Sequence, residues 1–506
     1  MSRGLKEVCF AFSSGRLQFR IHQEQSSMRD LRAVLALLII CLCLPAFGQT
    51  YDVVIRGGRV LDPETGLDAV RDVGISGDKI VRISEAPLSG RHTIEARGLV
   101  VAPGFIDLHQ HGQDPGSQRL KALDGVTTAL ELEIGAPDVT AFLQAHQGES
   151  LINYGSSASH AAARAAAFGS QIPSTEIIPK SGPATNNPAT PEQFKAIASR
   201  LENEIRAGAL GVGMGLQYTP GATRSEVIHT FEIAARHHLP VFVHVRSAGQ
   251  IEPGSSIEAV NEVIGAAASS GASLHIVHIN SMCMKDAPEC LHMIAGARAR
   301  GLDVTTEAYP YEAGMTFINS ALFNPGWREK FGVSYSDLML PNTGERLTEQ
   351  RFNELHNSSQ SQLVILFANT QQADDAAVTD PLVMIASDGD HGHPRNAGTY
   401  SRVLARYVRS QHSLTLMDAI RKMTLMPAQR LERATPAARS LGRMQEGAAA
   451  DVVIFNPDEI QDRATYASPN QPSTGVRFLL VGGTTVIENG AVVPNVFPGR
   501  AITSLQ

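Results

Sequence analysis

The sequence lacks both a hydrophobic run long enough to cross a membrane and an excess of basic residues. Its longest apolar run, residues 33–44, is about 12 residues long, whereas a spanning helix needs about 20. The formal net charge is -7 and no basic patch stands out, so nucleic acid is not an expected partner. With 43% hydrophobic and 18% charged residues, the 506-residue chain is predicted to be globular, with one large domain and a smaller one.

The short apolar run lies within a secretory signal pattern. Residues 28–32 carry charges, residues 33–44 are apolar, and residues 45–49 (Pro-Ala-Phe-Gly-Gln) form a small-x-small exit. We therefore expect translation to start at Met28, with residues 1–27 an over-extended N-terminus. Cleavage near Gly48 would then deliver the mature protein to the periplasm or the medium. A membrane anchor or a buried helix is the alternative interpretation of the same run.

Cysteine is scarce, which excludes a fold held together by a disulfide framework. Of five cysteines, only Cys283 and Cys290 lie beyond the predicted signal peptide. In an oxidising compartment these two side chains could pair, and as free thiols they would be equally compatible with the sequence.

The two ends of the chain share a pattern of short strands and glycine-containing turns. Residues 50–102 and 441–506 both show it, with Gly57-Gly58 and Gly482-Gly483 at turns. A long segment of different character separates them. We therefore predict one small β-sandwich domain that is built from both termini.

The middle of the chain, residues 103–440, alternates between short apolar runs and helical stretches. Such runs are typical of strands buried on both faces of a parallel sheet. Helical patterns such as 225–236, 257–269 and 287–300 fit between them. Eight β/α alternations predict an α/β fold, a closed (β/α)8 TIM-like barrel, with an insertion near residues 330–375. The eight runs are 104–108, 126–130, 151–154, 210–214, 240–244, 274–278, 302–306 and 382–386.

Residues that bind metals lie at the ends of several predicted barrel strands. His109 and His111 follow the first strand and, at positions i and i+2, point to the same side. His244 ends the fifth strand, His278 the sixth, and Asp388 follows the eighth. The carboxyl ends of barrel strands meet at one face, where active sites lie. The pattern therefore predicts a site for a divalent cation at that face.

Several motifs make the chain similar to a known family. Residues 100–111 (Val-Val-Ala-Pro-Gly-Phe-Ile-Asp-Leu-His-Gln-His) resemble the opening signature of the amidohydrolase superfamily, and the divided β domain matches as well. Roughly residues 51–490 resemble the N-acyl-D-amino-acid deacylases, also called D-aminoacylases. The motifs that narrow the resemblance are residues 125–128 (Gly-Val-Thr-Thr), 208–211 (Gly-Ala-Leu-Gly), 218–221 (Tyr-Thr-Pro-Gly), 309–311 (Tyr-Pro-Tyr), 387–389 (Ser-Asp-Gly), 393–395 (His-Pro-Arg) and 398–399 (Gly-Thr).

The resemblance implies an activity and a role for each matched residue. The expected reaction is hydrolysis of the amide bond of N-acyl-D-amino acids with one or two Zn²⁺ ions, other divalent metals being possible. His109 and His111 match a first pair of metal ligands, and His244 and His278 match a second pair. Asp388 matches the aspartate that binds metal and acts as general base. The residues matching those that hold the substrate carboxylate are Arg395 and either Tyr309 or Tyr311.

Two positions depart from the family pattern. Where relatives end the second strand with a metal-binding cysteine, this chain has residues 131–135 (Glu-Leu-Glu-Ile-Gly). An ungapped alignment puts Ile134 opposite that cysteine, and a small shift puts Glu133 there. We predict that Glu133 is a metal ligand, with Glu131 as the alternative and a purely hydrogen-bonding glutamate pair as the rival account. Asn280 stands where relatives often have lysine, which puts part of their carboxylate recognition in doubt.

The sequence fits three other functions less well than the deacylase. Hydantoinases and dihydroorotases bridge two metals with a carbamylated lysine on strand four, and residues 210–216 contain no lysine. A related dipeptidase or another cyclic-amide hydrolase stays open, as does, more remotely, a secreted binding protein on a barrel that has lost catalysis. Of the remaining polar residues, His160 is expected to hydrogen-bond in a loop, and Asp374-Asp375 to form a solvated face. His393 is expected to order the loop that places Arg395. The oligomeric state is not predicted.

Overall fold

The first strands of the chain form one edge region of a large mixed sheet. The computed structural model describes residues 50–172, 177–179 and 181–505. The predicted signal peptide, Met28 and the expected cleavage site lie outside these ranges. Strands rich in β-branched residues mix buried with partly exposed positions here, and the last of them is buried throughout. They are β1 (Thr50–Asp62), β2 (Leu67–Ser76), β3 (Lys79–Ser84), β4 (Ser89–Glu95) and β5 (Val100–Pro103).

Seven parallel strands then follow one another, and their residues are almost entirely buried. Side chains on both faces are covered because the inner face fills the barrel and the outer face packs against helices. These strands are β6 (Phe105–Asp107), β7 (Val126–Ala136), β8 (Asn153–Ser159), β9 (Val212–Gly215), β10 (Pro240–His244), β11 (Ser273–Ile276) and β12 (Val304–Ala308).

A small antiparallel sheet interrupts the barrel before its last strand. It contains β13 (Gly314–Phe317), β14 (Leu338–Met339) and β15 (Leu363–Leu366), in the order β13-β15-β14. This sheet begins earlier than the insertion predicted near residues 330–375. The strand Gly314–Phe317 has only four residues, and three of them are partly exposed. Its sequence therefore lacks the apolar run that would distinguish it from the surrounding loop.

The eighth strand, β16 (Val383–Ile385), completes the barrel beside β12. Gln110 and Gly389 form a parallel bridge, and the N–H groups of His111 and Gly112 both donate to the carbonyl of Gly389. These bonds bring the carboxyl ends of the first and eighth strands together. All eight strand runs predicted from the sequence correspond to barrel strands.

The chain then returns to the first sheet. The returning strands are β17 (Val452–Phe455), β18 (Val476–Val481), β19 (Thr484–Glu488) and β20 (Ala491–Val492). They join the N-terminal strands in one nine-stranded sheet, in which β17 pairs with β5 and β4 pairs with β1. The predicted (β/α)8 barrel with a β-rich domain contributed by both termini is thereby confirmed; the terminal strands are one continuous hydrogen-bonded sheet.

The helices connect the barrel strands and surround them. Many begin at a side-chain cap, as at Thr190 and Ser255, each of which forms a capping box with the residue three positions later. The α-helices are α1 (Pro115–Leu123), α2 (Val139–His146), α3 (His160–Ala167), α4 (Pro183–Asn186), α5 (Pro191–Arg206), α6 (Arg224–Arg236), α7 (Ser256–Ser270), α8 (Ile279–Cys283), α9 (Ala287–Ala299), α10 (Trp327–Phe331), α11 (Glu349–His356), α12 (Gln371–Thr379), α13 (Arg395–Arg402), α14 (Leu416–Met423) and α15 (Leu425–Leu431).

Two further features bear on the expectations from sequence. Cys283 at the end of α8 and Cys290 in α9 are joined in a disulfide, which resolves the open question of their pairing. Within the ranges that the structure describes, no helix has both the length and the apolar character needed to cross a membrane.

Candidate metal centre

His109 and His111 leave the end of β6 side by side and point into the mouth of the barrel. Their Nε2 atoms are 3.1 Å apart. Each ring is oriented from behind by a carboxylate: Glu307 Oε1 lies 2.7 Å from His109 Nδ1, and Glu131 Oε2 lies 2.7 Å from His111 Nδ1. When Nδ1 donates its proton to a carboxylate, Nε2 carries the free lone pair that a metal requires. Both imidazoles are therefore positioned to bind a cation through Nε2.

Glu133, near the end of β7, lies at the centre of the four histidines. Its Oε2 is 3.1 Å from Nε2 of both His109 and His111. Its Oε1 is 2.7 Å from His244 Nδ1 and 2.8 Å from His278 Nε2. Glu131 reaches only the far side of His111 and its own turn, where Oε1 accepts from two backbone N–H groups. Of the two glutamates, Glu133 is thus the one in a bridging position.

Asp388 follows β16 and completes the arrangement. Its Oδ1 lies 3.4 Å from Nε2 of both His109 and His111, and its Oδ2 lies 2.9 Å from Arg395 Nη1. Burial raises the pKa of Asp388, but Arg395 and His109 beside it outweigh burial and lower the pKa well below the usual aspartate range. Asp388 and His278 both have positive φ, at 50° and 29°. Such conformations are uncommon for non-glycine residues and concentrate at functional sites.

The spacing of these atoms fits one divalent cation. Four ligands at about 2.0–2.1 Å from a tetrahedral Zn²⁺ lie about 3.3 Å from one another. The Nε2 atoms of His109 and His111 lie 3.1 Å from each other, and each lies 3.1 Å from Glu133 Oε2 and 3.4 Å from Asp388 Oδ1. Glu133, His244 and His278 form a second group that shares the same carboxylate, and its 2.7–2.8 Å separations are those of hydrogen bonds.

The charges of the cluster also favour a bound cation. Burial lowers the pKa of His109, but the carboxylates of Glu133 and Asp388 outweigh it and raise that pKa to about 10. Burial raises the pKa of Glu133, yet His109 and His244 lower it well below its usual range. The carboxylates therefore favour positive charge at the imidazole nitrogens. A divalent cation supplies that charge while the histidines stay neutral.

A cavity of about 830 Å³, including its opening, extends outward from the cluster. Arg395 and Tyr309 line it, with the guanidinium carbon 4.7 Å from the centre of the Tyr309 ring. Tyr311 is not among its lining residues: its hydroxyl donates to the carbonyl of Pro394, 3.4 Å away, and Arg402 covers its ring. Of the two tyrosines considered, Tyr309 is the one at the cavity.

Some functional neighbours were missed in the sequence. Glu307 lies on β12 and holds both His109 and, through Oε2 at 2.9 Å, His275 Nε2. Gln217 follows β9, and its Oε1 is 2.7 Å from His244 Nε2. An acidic residue at the end of the seventh strand is a signal that could have identified Glu307, because the other site residues lie at equivalent positions.

The prediction of a solvated acidic face at residues 374–375 is wrong for Asp374. This carboxylate is fully buried, and its Oδ1 accepts from Asn280 Nδ2 at 2.8 Å and Asn369 Nδ2 at 3.3 Å. Burial raises its pKa to about 8. Asn280 also donates to the carbonyl of Tyr309 at 2.9 Å, so its amide supports the cavity from behind.

Two other histidines have structural contacts. His160 is buried at the start of α3, where its Nε2 lies 2.9 Å from Glu226 Oε1, away from the metal cluster. His393 accepts the backbone N–H of Arg395 at its Nδ1, 3.1 Å away, and its Nε2 lies 3.0 Å from the carbonyl of Ala313. This contact ties the loop before α13 to the insertion and holds the backbone at Arg395.

Fold and site together define the class: a barrel of the amidohydrolase type with histidine and carboxylate ligands gathered at its mouth. No family model matches the chain. N-acyl-D-glutamate deacylase of Alcaligenes xylosoxydans xylosoxydans is 31% identical over 492 residues, which cover 90% of this chain and 97% of the relative. At that identity over nearly the whole length, the chain belongs to the N-acyl-D-amino-acid deacylase family of the amidohydrolase superfamily.

Two further relatives agree with this assignment. D-aminoacylase of the same organism is 27% identical over 478 residues, covering 88% of this chain and 96% of the relative. A crystal structure of N-acyl-D-glutamate deacylase from Bordetella bronchiseptica, complexed with zinc and a phosphonate inhibitor, is 26% identical with a TM-score of 0.76. The match covers 90% of this chain and all of that one.

Proposed function

We propose that this protein hydrolyses the amide bond of N-acyl-D-amino acids and releases a carboxylic acid and a D-amino acid. One observation carries the proposal. Histidines and carboxylates close enough together to hold a metal ion line the same cavity as a buried arginine. A hydrolytic centre and a group that recognises a carboxylate are the two parts that such a substrate requires. The relatives' activities support the choice of substrate.

The cation that we assign to the site is Zn²⁺. His109, His111, Glu133 and Asp388 would hold one ion, and His244 and His278 would hold a second that shares Glu133. The zinc in the Bordetella bronchiseptica relative supports this assignment. When bound, the cation supplies Lewis acidity, which polarises the amide carbonyl and makes the attacking water more acidic.

Asp388 is the proposed general base and acid. Its lowered pKa keeps it ionised, so that it accepts a proton from the attacking water as the new C–O bond forms. It then gives this proton to the amide nitrogen as the C–N bond breaks, and the amino acid leaves as a neutral amine. Geometry favours this role, since Asp388 is the carboxylate that contacts both the ligand pair and Arg395.

Arg395 is the proposed anchor for the substrate's α-carboxylate. A guanidinium presents five N–H donors in a planar fork, so it can hold Asp388 with one nitrogen and a second carboxylate with others. Tyr309 packs against its face and His393 accepts its backbone N–H, so that its position is fixed before the substrate arrives. A fixed anchor lowers the ordering cost of binding.

The test is turnover by purified, Zn²⁺-loaded protein on a panel of substrates. We expect release of the amino acid from N-acetyl-D-amino acids, and far slower release from the L-enantiomers. Dipeptides and hydantoins serve as the comparison, because they are the substrates of the two alternative enzymes. Metal-replete protein that hydrolyses a dipeptide or a hydantoin, and no N-acyl-D-amino acid, would refute the proposal.

We also propose that the protein acts in the periplasm or outside the cell. The support is the order of charged, apolar and small residues over 28–48, together with the Cys283–Cys290 disulfide, since disulfides persist in oxidising compartments. N-terminal sequencing of protein from the native host should find a start near Gln49. A functional protein that retains Met28 would overturn the proposal.

A further inference from the structure

The cavity above the metal cluster has a continuous apolar wall. Three buried side chains form a small hydrophobic cluster, three partly buried ones pack against it, and all six line the cavity. We call these residues the apolar wall: Ile134, Ile177, Ile178, Tyr218, Phe317 and Leu322. A hydrophobic cluster that faces a cavity stays partly exposed to water, so filling the cavity with an apolar group is favourable.

Two other segments extend this surface. The insertion contributes Leu363, which pairs with Phe317 across β13 and β15. The segment after His278 contributes Met282 and Met284, whose unbranched side chains adapt to ligands of different shape. The insertion and the segment after His278 thus extend the surface beyond β7, the strand that carries both Ile134 and Glu133.

Among the residues that the structure describes, the cavity offers no free cation to an acidic side chain. Within residues 50–172, 177–179 and 181–505, Arg395 is the single lysine or arginine that lines it, and its guanidinium already contacts Asp388. Asp390 adds a further acidic group to the lining. Asn280, which stands where relatives often have lysine, directs its amide to the Tyr309 carbonyl and Asp374 instead.

We propose that the substrate's amino-acid side chain is apolar, and that the apolar wall receives it. The inference rests on the proposed function, in which Arg395 holds the α-carboxylate and the metal cluster holds the scissile amide. An acidic side chain would lose its hydration against the wall and gain no cationic partner from the described residues that line the cavity. The chain therefore differs in specificity from its 31%-identical relative, whose name specifies N-acyl-D-glutamate.

The experiment compares kcat/KM of the Zn²⁺-loaded full-length protein on N-acetyl-D-methionine, N-acetyl-D-leucine, N-acetyl-D-glutamate and N-acetyl-D-aspartate. We expect the apolar substrates to be favoured by about a hundredfold or more, since a buried unpaired charge is strongly disfavoured. Equal turnover, or faster turnover of the acidic substrates, overturns the inference and leaves the deacylase assignment intact. Protein that hydrolyses none of the four refutes the proposed function itself.

A second arm tests where the side chain binds. Phe317→Lys places a cation on the apolar wall, and Val70→Lys places one at a residue that is 64% exposed. We expect Phe317→Lys to shift the ratio of kcat/KM toward N-acetyl-D-glutamate, and Val70→Lys to leave the ratio unchanged. The same ratio in all three proteins contradicts the assignment of the wall.

Two measurements on the unaltered protein keep the inference testable if Phe317→Lys does not fold. D-methionine should inhibit competitively at lower concentration than D-glutamate, because each is a product that reports on the side-chain position. Lengthening the acyl group of N-acyl-D-alanine should change kcat/KM less than enlarging the side chain does. A response to acyl length alone would assign the wall to the acyl group and overturn the inference.

Discussion

The two halves of the candidate metal centre share Glu133 but differ in how they are built. On one side, His109 and His111 are each fixed by a carboxylate on Nδ1, and their Nε2 atoms lie 3.1 Å from Glu133 and 3.4 Å from Asp388. On the other side, His244 and His278 hydrogen-bond directly to Glu133 at 2.7 and 2.8 Å. His244 is held by the neutral amide of Gln217, and in the described part of the chain His278 Nδ1 has no hydrogen-bond partner.

The difference shows that two groups of potential ligands in one site can differ in how closely their spacing matches that around a bound ion. At the first half, the two Nε2 atoms already lie, from each other and from the carboxylate oxygens, at about the spacing that a tetrahedral cation imposes. At the second half, the ligands must separate before an ion fits between them. We therefore expect the first half to bind its ion more tightly and the second half to fill at higher metal concentration.

The largest expected effect is on the amount of bound metal when the histidines of one half are replaced at a time. His109→Asn combined with His111→Asn should leave no metal bound after gel filtration, because it removes two of the four prepared ligands. His244→Asn combined with His278→Asn should retain about one equivalent. Metal content by elemental analysis measures both. The comparison of the two halves fails if the second pair of substitutions, and not the first, empties the site.

Asp388→Asn separates proton transfer from metal binding within the first half. Since the amide cannot accept the proton of the attacking water, we expect kcat to fall by roughly 10²–10⁴-fold. Bound metal should fall far less, because three prepared ligands remain. The exposed Asp458→Asn is the matched control. An Asp388→Asn enzyme within a few fold of the wild type would show that another group moves the proton.

Glu307→Gln tests whether the carboxylate that contacts His109 Nδ1 orients this histidine for metal binding. The glutamine preserves the shape but removes the charge that fixes the His109 tautomer, so metal affinity should fall by about 10–100-fold. Competition with a chelator whose affinity is known gives the value. Glu289→Gln, at an exposed position on α9, should have the wild-type affinity. Equal affinity in all three proteins would mean that the carboxylate behind His109 does not prepare the site.

A last effect, on stability and not on the metal site, concerns Asp374, behind the cavity. Burial raises its pKa to about 8, whereas an unfolded aspartate has a pKa of about 3.9. Between these values the native state keeps a proton that the unfolded state has lost. Stability should therefore fall as pH rises from about 4 to 8, by up to about 1.4 kcal/mol per pH unit from this group.

Asp374→Asn removes this titration without changing the size of the side chain. The Tm difference between the variant and the wild type should therefore move in favour of the variant as pH rises across that range. A pH-independent difference for Asp374→Asn would show that the buried group does not titrate there.

Sequence predicted the barrel well because its strands are buried on both faces and so stand out as apolar runs. The sequence did not predict strand extent or burial correctly where the buried residues are polar. Strand β7 continues past the predicted 126–130 to Ala136, because Glu131 and Glu133 are buried by contact with the histidines. Asp374 was misassigned for the same reason, since its amide partners come from Asn280 and Asn369, which the sequence does not place beside it.

The sequence predicted most of the residues of the candidate site, but not the register and side-chain orientations that position them. Strand ends identified His109, His111, His244, His278 and Asp388 as neighbours, since the carboxyl ends of parallel strands meet at one face. The choice between Glu131 and Glu133 depended on register, and the rotation of Tyr309 toward the cavity and Tyr311 away from it depends on tertiary packing. Neither can be derived from hydrophobic periodicity.

The central claim is that Glu133 takes the place of a cysteine as the ligand shared by both halves of the metal centre. A crystal structure of the Zn²⁺-loaded protein tests it most directly. The account predicts a Glu133 oxygen about 2.0–2.2 Å from the metal, with Glu131 held behind His111 and outside that distance. A complete metal site in which the Glu133 carboxylate lies well beyond bonding distance, or in which Glu131 is the ligand, would contradict it.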